Sequence, residues 1–200
     1  MKLYLIRHGI STANVARRYA GVWDVELAPE GYAALEELKA SGIYPSAEGK
    51  ALYTSGMKRT EQTFRVIFGD LPHEVCAALK EMDFGDFEQR PYEELMLDES
   101  YLDWARSESW DTPCPNGESK RMVIERAHAA AMALAATGRD AIVVCHGAVT
   151  ALLMSRLFGA GDGSDYFDYL PSQGTGYVID FSGDSPSYER LGEGYTVRRW

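Results

Sequence analysis

Residues 1–14 read MKLYLIRHGISTAN. The run 2–6 is short and almost wholly apolar, as in a buried strand, and it stops abruptly at Arg7, His8 and Gly9. Ser11 has the side chain of a helix N-cap, so the pattern predicts a helix over 12–18 directly after the turn. A strand that ends beside Arg7 and His8 and feeds a helix N-terminus brings backbone N–H groups and a positive helix end to one spot, a setting suited to phosphate.

The rest of the chain repeats this order of strand and helix. An amphipathic helix is expected over 29–40, with Pro29 near its first position, Leu35 and Leu38 on one side and Gly42 beyond its end. A strand over 51–54 leads to a helix over 57–68, with Phe64, Ile67 and Phe68 at core spacing. A third strand is expected over 74–79. An Ala-rich helix over 118–137 is stopped by Gly138 and followed by the clearest strand, 141–145. Helix resumes over 148–158, and the glycine-rich 159–163 reads as its C-cap and loop. Runs 177–181 and 188–191, separated by a Ser/Gly/Asp/Pro turn, read as a hairpin at a sheet edge. This alternation predicts the α/β class, as a three-layer α/β/α sandwich around a mainly parallel sheet. Two hundred residues with 46% hydrophobic content suit a single domain, 1–200, in which 82–118 is a small lid insertion.

Composition narrows the function. A formal charge of -10 argues against nucleic acid or an anionic membrane as partner. No leader pattern and no bilayer-length apolar run is visible, so a cytoplasmic protein is expected. Cys76, Cys114 and Cys145 have no CxxC spacing and are expected as reduced thiols, and the four histidines show no metal-site spacing. Phosphate loops of the GxxxxGK[ST] type, GxSxG elbows and GxGxxG turns are absent.

Ligands of such sheets bind beyond the C-terminal ends of the strands. The first strand delivers Arg7 and His8; the second delivers Ser55, with Arg59 one turn into the next helix. The third runs toward Glu81, and 141–145 delivers His146 and Gly147. Two arginines, two histidines and one glutamate thus share one rim. Leu5-Ile6-Arg7-His8-Gly9 with Asn14, Ser55 with Arg59, Leu79-x-Glu81 before Phe84-Gly85, His146-Gly147 before a helix, and Pro115-Asn116-Gly117-Glu118-Ser119 together resemble the histidine phosphatase superfamily. Its branches include cofactor-dependent phosphoglycerate mutases, fructose-bisphosphatases and alpha-ribazole phosphatases. The resemblance spans nearly the whole chain, from residue 1 to about residue 157.

What the resemblance implies is in-line attack by His8 on a substrate phosphorus, giving a phosphohistidine that water then hydrolyses. His8 must then be neutral, with its second ring nitrogen tied to a nearby backbone carbonyl. Arg7, Arg59 and His146 are expected as fixed cations around the transferred phosphoryl group, arginine being suited by its planar fork. Glu81 is expected as the acid that protonates the leaving alcohol and then activates water, with Asp83 and Glu88 as competitors. Gly9, Ser11, Asn14, Gly21 and Gly147 are the expected substrate-binding positions, with Ser11, Asn14 and the Gly147 N–H as neutral donors. No metal or organic cofactor is implied. His73 and His128 match no motif and are assigned nothing.

Departures from the mutase pattern point to a phosphomonoester hydrolase of the alpha-ribazole or broad-specificity kind. Met82-Asp83-Phe84 stands where mutases carry Arg-His-Tyr, no lysine occurs between Glu81 and Glu118, and Ala20-Gly21 replaces Thr-Gly. Ile10 and Ser11 stand where many members have Glu and Thr, and Gln89 replaces a common glycine. Residues 83–111 carry ten acidic and two basic side chains, so this lid contributes -8 of the total charge. Phe84, Phe87, Tyr92, Tyr101, Trp104 and Trp110 are available to line the pocket. An acidic lid disfavours substrates with several phosphates, leaving a nucleotide-like monophosphate such as alpha-ribazole phosphate as the expected small-molecule partner. The competing reading is a solvated acidic surface whose aromatics pack the lid on the core. A phosphoglycerate-type mutase and a non-catalytic phospholigand-binding protein remain alternatives, and a homodimer is left open.

Overall fold

The computed structural model describes residues 1–192 and 194. The chain runs β1 (Lys2–Arg7), α1 (Thr12–Val15), α2 (Pro29–Ala40), β2 (Ala51–Thr54), α3 (Lys58–Phe68) and β3 (Glu74–Val75). It continues through α4 (Tyr92–Leu95), α5 (Glu99–Arg106), α6 (Lys120–Ala136), β4 (Ala141–Cys145), α7 (Gly147–Phe158), α8 (Tyr166–Tyr169), β5 (Gly176–Asp180) and β6 (Ser187–Leu191). The six strands form one sheet in the order β3-β2-β4-β1-β5-β6. Pairs β1/β4, β2/β4 and β2/β3 are parallel, and the β5/β6 hairpin is antiparallel at the edge.

Side-chain alternation along each strand divides the core in two. Leu3, Leu5, Val143 and Cys145 point to the face covered by α6 and α7, where Val123, Ile124, Ala127, Leu152 and Leu153 meet them. Ile6, Ile142 and Val144 point the other way, onto Leu35 of α2 and Phe64 and Ile67 of α3. The three layers expected from the sequence are therefore present. All five residues of β4 are buried, as a central parallel strand covered on both faces requires.

Three elements differ from expectation by two residues or more at one end. The third strand ends at Val75, and a 3-10 turn, Ala77–Leu79, replaces its second half; the Ala78 and Lys80 carbonyls go to the Arg126 guanidinium instead of a neighbouring strand. Helix α1 stops at Val15 because the backbone turns left-handed at Arg17, φ 51°. That turn pairs residues 17–19 with the lid: Tyr92 N–H donates to Arg17 O, Tyr19 N–H to Arg90 O and Gln89 N–H to Tyr19 O. Helix α6 begins at Lys120 rather than at residue 118, because the Ser119 side chain caps it by accepting from Met122 N–H.

Within residues 82–118, Phe87, Leu95, Tyr101 and Cys114 belong to the core cluster on the α6/α7 side. Phe87, Tyr101 and Trp104 pack with ring centroids 5.4–5.9 Å apart. This segment is stitched down by aromatic burial, while its short helices α4 and α5 flank the rim that carries Arg7 and His8. Among the described residues, no helix is long and apolar enough to cross a membrane.

Candidate active site

Parallel register brings the strand ends level. Arg7 pairs with Cys145 and Thr54 with Val144, and the next residues continue the pairing, with His8 N–H donating to Cys145 O and Ser55 N–H to Val144 O. His8, Ser55 and His146 thus emerge side by side, and the His8 and His146 rings meet edge to face with centroids 5.2 Å apart.

His8 is 5% exposed, and its Nδ1 lies 2.6 Å from Gly9 O. A carbonyl only accepts, so the proton sits on Nδ1 and Nε2 keeps its lone pair. Burial, then Arg59 and Arg7, push the His8 pKa well below the ordinary histidine range. His8 is therefore a neutral imidazole with one bare nitrogen, as a nucleophile requires. Gly9 serves this arrangement rather than a ligand: its carbonyl fixes His8, its N–H donates to Thr63 Oγ1 at 3.0 Å, and it does not line the pocket.

Arg7 reaches the pocket beside His8. One Nη1–H donates to Pro171 O at 2.6 Å, while the buried Nε has no hydrogen-bond partner among the described residues. An unpartnered, buried guanidinium N–H at this rim is a donor available to an anion. Gly147 gives it room, since a Cβ there would stand 2.9 Å from Arg7 Cζ and Nε. Gly147 does not itself line the pocket; Ala148 does.

His146 departs from expectation. It is fully buried, Arg59 Nε donates to its Nδ1 at 3.3 Å, and its Nε2 lies 2.7 Å from Ser55 Oγ. Ser55 Oγ in turn lies 3.0 Å from Thr60 Oγ1, whose own proton goes to Met57 O at 2.7 Å. Reading back from that carbonyl, Thr60 accepts from Ser55 and Ser55 accepts from His146 Nε2–H. The chain fixes one neutral tautomer, and burial followed by the charges of Arg59, His8 and Arg7 lowers the pKa far below normal. The cation expected at 146 is thus a neutral ring that orients Arg59 and packs against His8.

Arg59 is 1% exposed and lines the pocket. Its other contacts are to carbonyls of one loop: Nη1 to Trp23 O, and Nη2 to Ala20 O and Gly21 O. Burial lowers its pKa from the ordinary guanidinium value, opposed in part by Glu81, Asp24 and Glu88. Gly21, expected to bind substrate, is part of this scaffold. Its N–H donates to the Glu88 carboxylate, and a Cβ would collide with Met82 O at 1.8 Å. Glu88, a competitor for the acid role, accepts from four backbone N–H groups, those of Gly21, Val22, Trp23 and Phe84, and does not line the pocket.

Glu81 does line it. Its carboxylate sits at the N-terminus of α7, accepting from Ala148 N–H at 3.1 Å and Val149 N–H at 3.2 Å, with Met82 N–H at 3.0 Å. Asp83, the other competitor, accepts from Gly85 N–H at 2.9 Å and lies outside the pocket lining. Ser11 and Asn14 line the pocket and hold each other in a reciprocal capping box, in which Asn14 Oδ1 accepts from Ser11 N–H at 3.0 Å. With Oδ1 so engaged, the Nδ2 amide is the end of Asn14 available to a ligand.

The pocket measures about 450 Å³. Its rim adds residues that the motif search missed: Arg17, Arg18, Tyr19, Tyr166, Phe167 and Gln173. The Arg17-Arg18 pair, placed by the left-handed turn, was the readable signal. Of the lid aromatics, Phe84, Tyr92 and Tyr101 line the pocket; Phe87 is sealed in the core, and Trp110 lies under the Arg121 guanidinium at 4.1 Å. Among the described residues, four arginines and a single carboxylate, Glu81, line the cavity. Of the acids in residues 83–111, Asp98 pairs with Arg90 and Asp111 with Arg121, Asp86 accepts from Asn116, and Glu93 pairs with Arg17 at the pocket rim. Aromatic side chains of residues 82–118 pack this segment onto the core, and Asp98, Asp111 and Asp86 are engaged with partners of their own. His73 is structural, paired with Glu61 and packed on Phe64.

Comparison with known proteins adds independent information. The model of the histidine phosphatase superfamily (branch 1) matches residues 3–194. The adenosylcobalamin/alpha-ribazole phosphatase of Escherichia coli K12 is 30% identical over 166 residues, covering 80% of each chain. A 2,3-bisphosphoglycerate-dependent phosphoglycerate mutase of Bradyrhizobium diazoefficiens is 33% identical over 137 residues, 62% of this chain and 63% of that one. The crystal structure of the alpha-ribazole phosphatase from Shigella flexneri is similar over 100% of both chains, with a TM-score of 0.83 and 27% identity.

Proposed function

This chain belongs to the histidine phosphatase superfamily and is a phosphatase of that type, acting on a small phosphorylated metabolite, and we propose that His8 carries the phosphoryl group between substrate and water. The observation that carries this reading is the neutral His8 ring, with Nδ1 bonded to Gly9 O and Nε2 bare beside Arg7 and Arg59. The Nε2 lone pair forms the N–P bond as the P–O bond of the ester breaks in line. The Glu81 carboxyl gives its proton to the departing oxygen, which leaves as the alcohol. The resulting carboxylate takes a proton from water, whose oxygen attacks phosphorus and displaces His8, releasing phosphate. Arg7, through its unpartnered Nε, and Arg59 meet the charge on the equatorial oxygens. Asn14 adds a neutral donor.

The preferred alcohol is nucleotide-like, alpha-ribazole phosphate being the candidate favoured by the names of the relatives. Support comes from the aromatic wall of Tyr19, Phe84, Tyr92, Tyr101, Tyr166 and Phe167, which suits a planar ring. Arg17 and Arg18 at the rim favour the second reading, a mutase that anchors a further anionic group; isomerised sugar phosphate without net phosphate release is its signature. The net charge of -10 supports a small phosphate ester rather than nucleic acid or an anionic membrane as partner, in the cytoplasm, with a homodimer as an open assembly.

The test is phosphate release from p-nitrophenyl phosphate in chelator, comparing wild type with His8→Ala. Activity in wild type, an acid-labile phosphoprotein on rapid quench, and loss of both in His8→Ala are expected. Turnover surviving in pure His8→Ala overturns the mechanism. Substrate class follows from kcat/KM on alpha-ribazole phosphate, a mononucleotide and a sugar bisphosphate; preference for the bisphosphate overturns the nucleotide-like assignment.

A further inference from the structure

The segment Pro115-Asn116-Gly117-Glu118-Ser119 is not part of the pocket lining, yet it is bound tightly to the residues that follow Glu81. Asp86 N–H donates to Pro115 O at 2.9 Å, and Glu118 N–H donates to Asp83 O at 2.8 Å. Glu118 Oε2 accepts from Asp83 N–H at 2.9 Å. The two loops lie so close that a Cβ on Gly117 would stand 2.5 Å from Asp83 O, and one on Gly85 would stand 2.0 Å from Pro115 O.

Arg126, half-buried nearly two turns into α6, completes the clamp. Nη1 donates to Ala78 O at 2.7 Å and to Lys80 O at 2.8 Å, while Nη2 donates to Glu81 O at 3.0 Å. Nε and Nη2 also donate to the two Glu118 carboxylate oxygens, at 2.8 and 2.9 Å. All five N–H donors of the guanidinium are thereby used, three on the short stretch of backbone that carries Glu81 and two on Glu118. The same contacts turn the expected strand into the 3-10 turn Ala77–Leu79 just before Glu81.

Glu81 is therefore held at both ends: its backbone carbonyl by Arg126, which Glu118 ties to the Asp83 backbone two residues on, and its carboxylate by the α7 N-terminus. The Arg126 and Glu118 side chains are 23% and 18% exposed. An ion pair so placed contributes little net stability, because desolvation offsets most of the attraction. What it supplies here is geometry, since only a planar five-donor fork satisfies three divergent carbonyls and a carboxylate at once.

We infer that Glu118 and Arg126 form a positioning pair whose contacts to the 78–83 backbone set the place of the Glu81 carboxyl, and so its proton transfer to the leaving alcohol. This rests on the reading of Glu81 as leaving-group acid. Neither residue touches substrate, so their effect passes through Glu81 alone.

The experiment exploits leaving-group demand. p-Nitrophenyl phosphate expels a stable phenolate that hardly needs a proton, whereas phenyl phosphate, with the same ring, needs one. kcat/KM is measured on both for wild type, Glu81→Gln, Arg126→Met, Arg126→Lys, Glu118→Gln and the double variant Glu81→Gln/Arg126→Met, with circular dichroism to establish folding. Glu81→Gln should lose more on phenyl phosphate than on p-nitrophenyl phosphate, by about tenfold or more. Arg126→Met and Glu118→Gln should show the same bias, Arg126→Lys a smaller one, and the double variant no more bias than Glu81→Gln alone. Glu118→Gln keeps the size of the side chain, so it decides the matter if Arg126→Met does not fold. Equal losses on both esters in Arg126→Met and Glu118→Gln, with Glu81→Gln biased, would overturn the positioning role and leave the acid assignment intact. An unbiased Glu81→Gln would overturn the acid assignment and the pair's role with it.

Discussion

The Nδ1 of His8 and the carbonyl oxygen of Gly9, its immediate neighbour, stand 2.6 Å apart, so the backbone itself chooses which nitrogen of the proposed nucleophile is free. Among the described residues no carboxylate orients this ring, unlike the Ser-His-Asp arrangement in which the histidine must later become charged. The proposed mechanism needs a histidine that stays neutral until it takes the phosphoryl group, and a neutral acceptor serves that need.

Neutrality has a pH signature. His8 and His146 both have pKa values pushed well below the ordinary histidine range, chiefly by burial and then by Arg59. In the unfolded chain each takes up a proton near pH ~6.5. Below that pH the unfolded state holds more protons than the folded one, so stability falls as the pH drops. Each histidine contributes about 1.4 kcal/mol per pH unit until its folded-state pKa is reached. Above pH ~6.5 neither contributes. Urea unfolding between pH 5 and 7 should show this slope, and His146→Gln should flatten it. An unchanged slope in that variant, or an imidazolium signal for His8 by NMR at pH 6, would show that the assigned protonation is wrong.

The Arg7 guanidinium lies against the Gly147 backbone, where a Cβ would come within 2.9 Å of Cζ and Nε. Alanine at helix position N1 is unstrained, so Gly147→Ala should change unfolding free energy by less than about 1 kcal/mol. The methyl group nonetheless displaces Arg7 from the nucleophile. A shift of that kind should lower kcat/KM for p-nitrophenyl phosphate about tenfold or more. Wild-type activity in a folded Gly147→Ala protein would mean that Arg7 does not act from the position seen here.

How much of this was readable in the sequence depends on what decided each feature. Arg7, His8, Arg59 and His146 stand at strand ends or one turn beyond, and local apolar patterning located those ends. Glu81 was found by motif, but its carrier was misread as strand because Arg126, distant in sequence, takes the backbone carbonyls before it. Arg17 and Arg18 reach the pocket through a left-handed residue, and Gln89 adopts φ 65°, a left-handed conformation more usual for glycine. Such backbone choices carry no hydrophobic period to read. Tyr166 and Phe167 come from α8, a single turn of helix beyond a glycine-rich loop, and only chain closure brings them to His8. The protonation of His146 was invisible because it is set by a hydrogen-bond chain through Ser55 and Thr60 to Met57 O.

The acidic lid is the clearest case of composition misleading, and it yields a prediction of its own. Ten carboxylates over residues 83–111 look like a field over the pocket, but Glu88 accepts from four backbone N–H groups, and Asp98 caps α5 and pairs with Arg90. Glu88→Ala should therefore act on stability, costing about 1–3 kcal/mol as its partly buried donors lose their acceptor. Neutralising exposed acids that make no such bonds, as in Asp103→Asn with Glu108→Gln, should leave the kcat/KM ratio of bisphosphate to monophosphate within about twofold of wild type, because exposed charges are strongly screened at physiological salt. A large rise in that ratio would restore the lid's charge as a selector of substrate. An unchanged melting curve for Glu88→Ala would show that the lid is not tied to the 20–23 loop through this carboxylate.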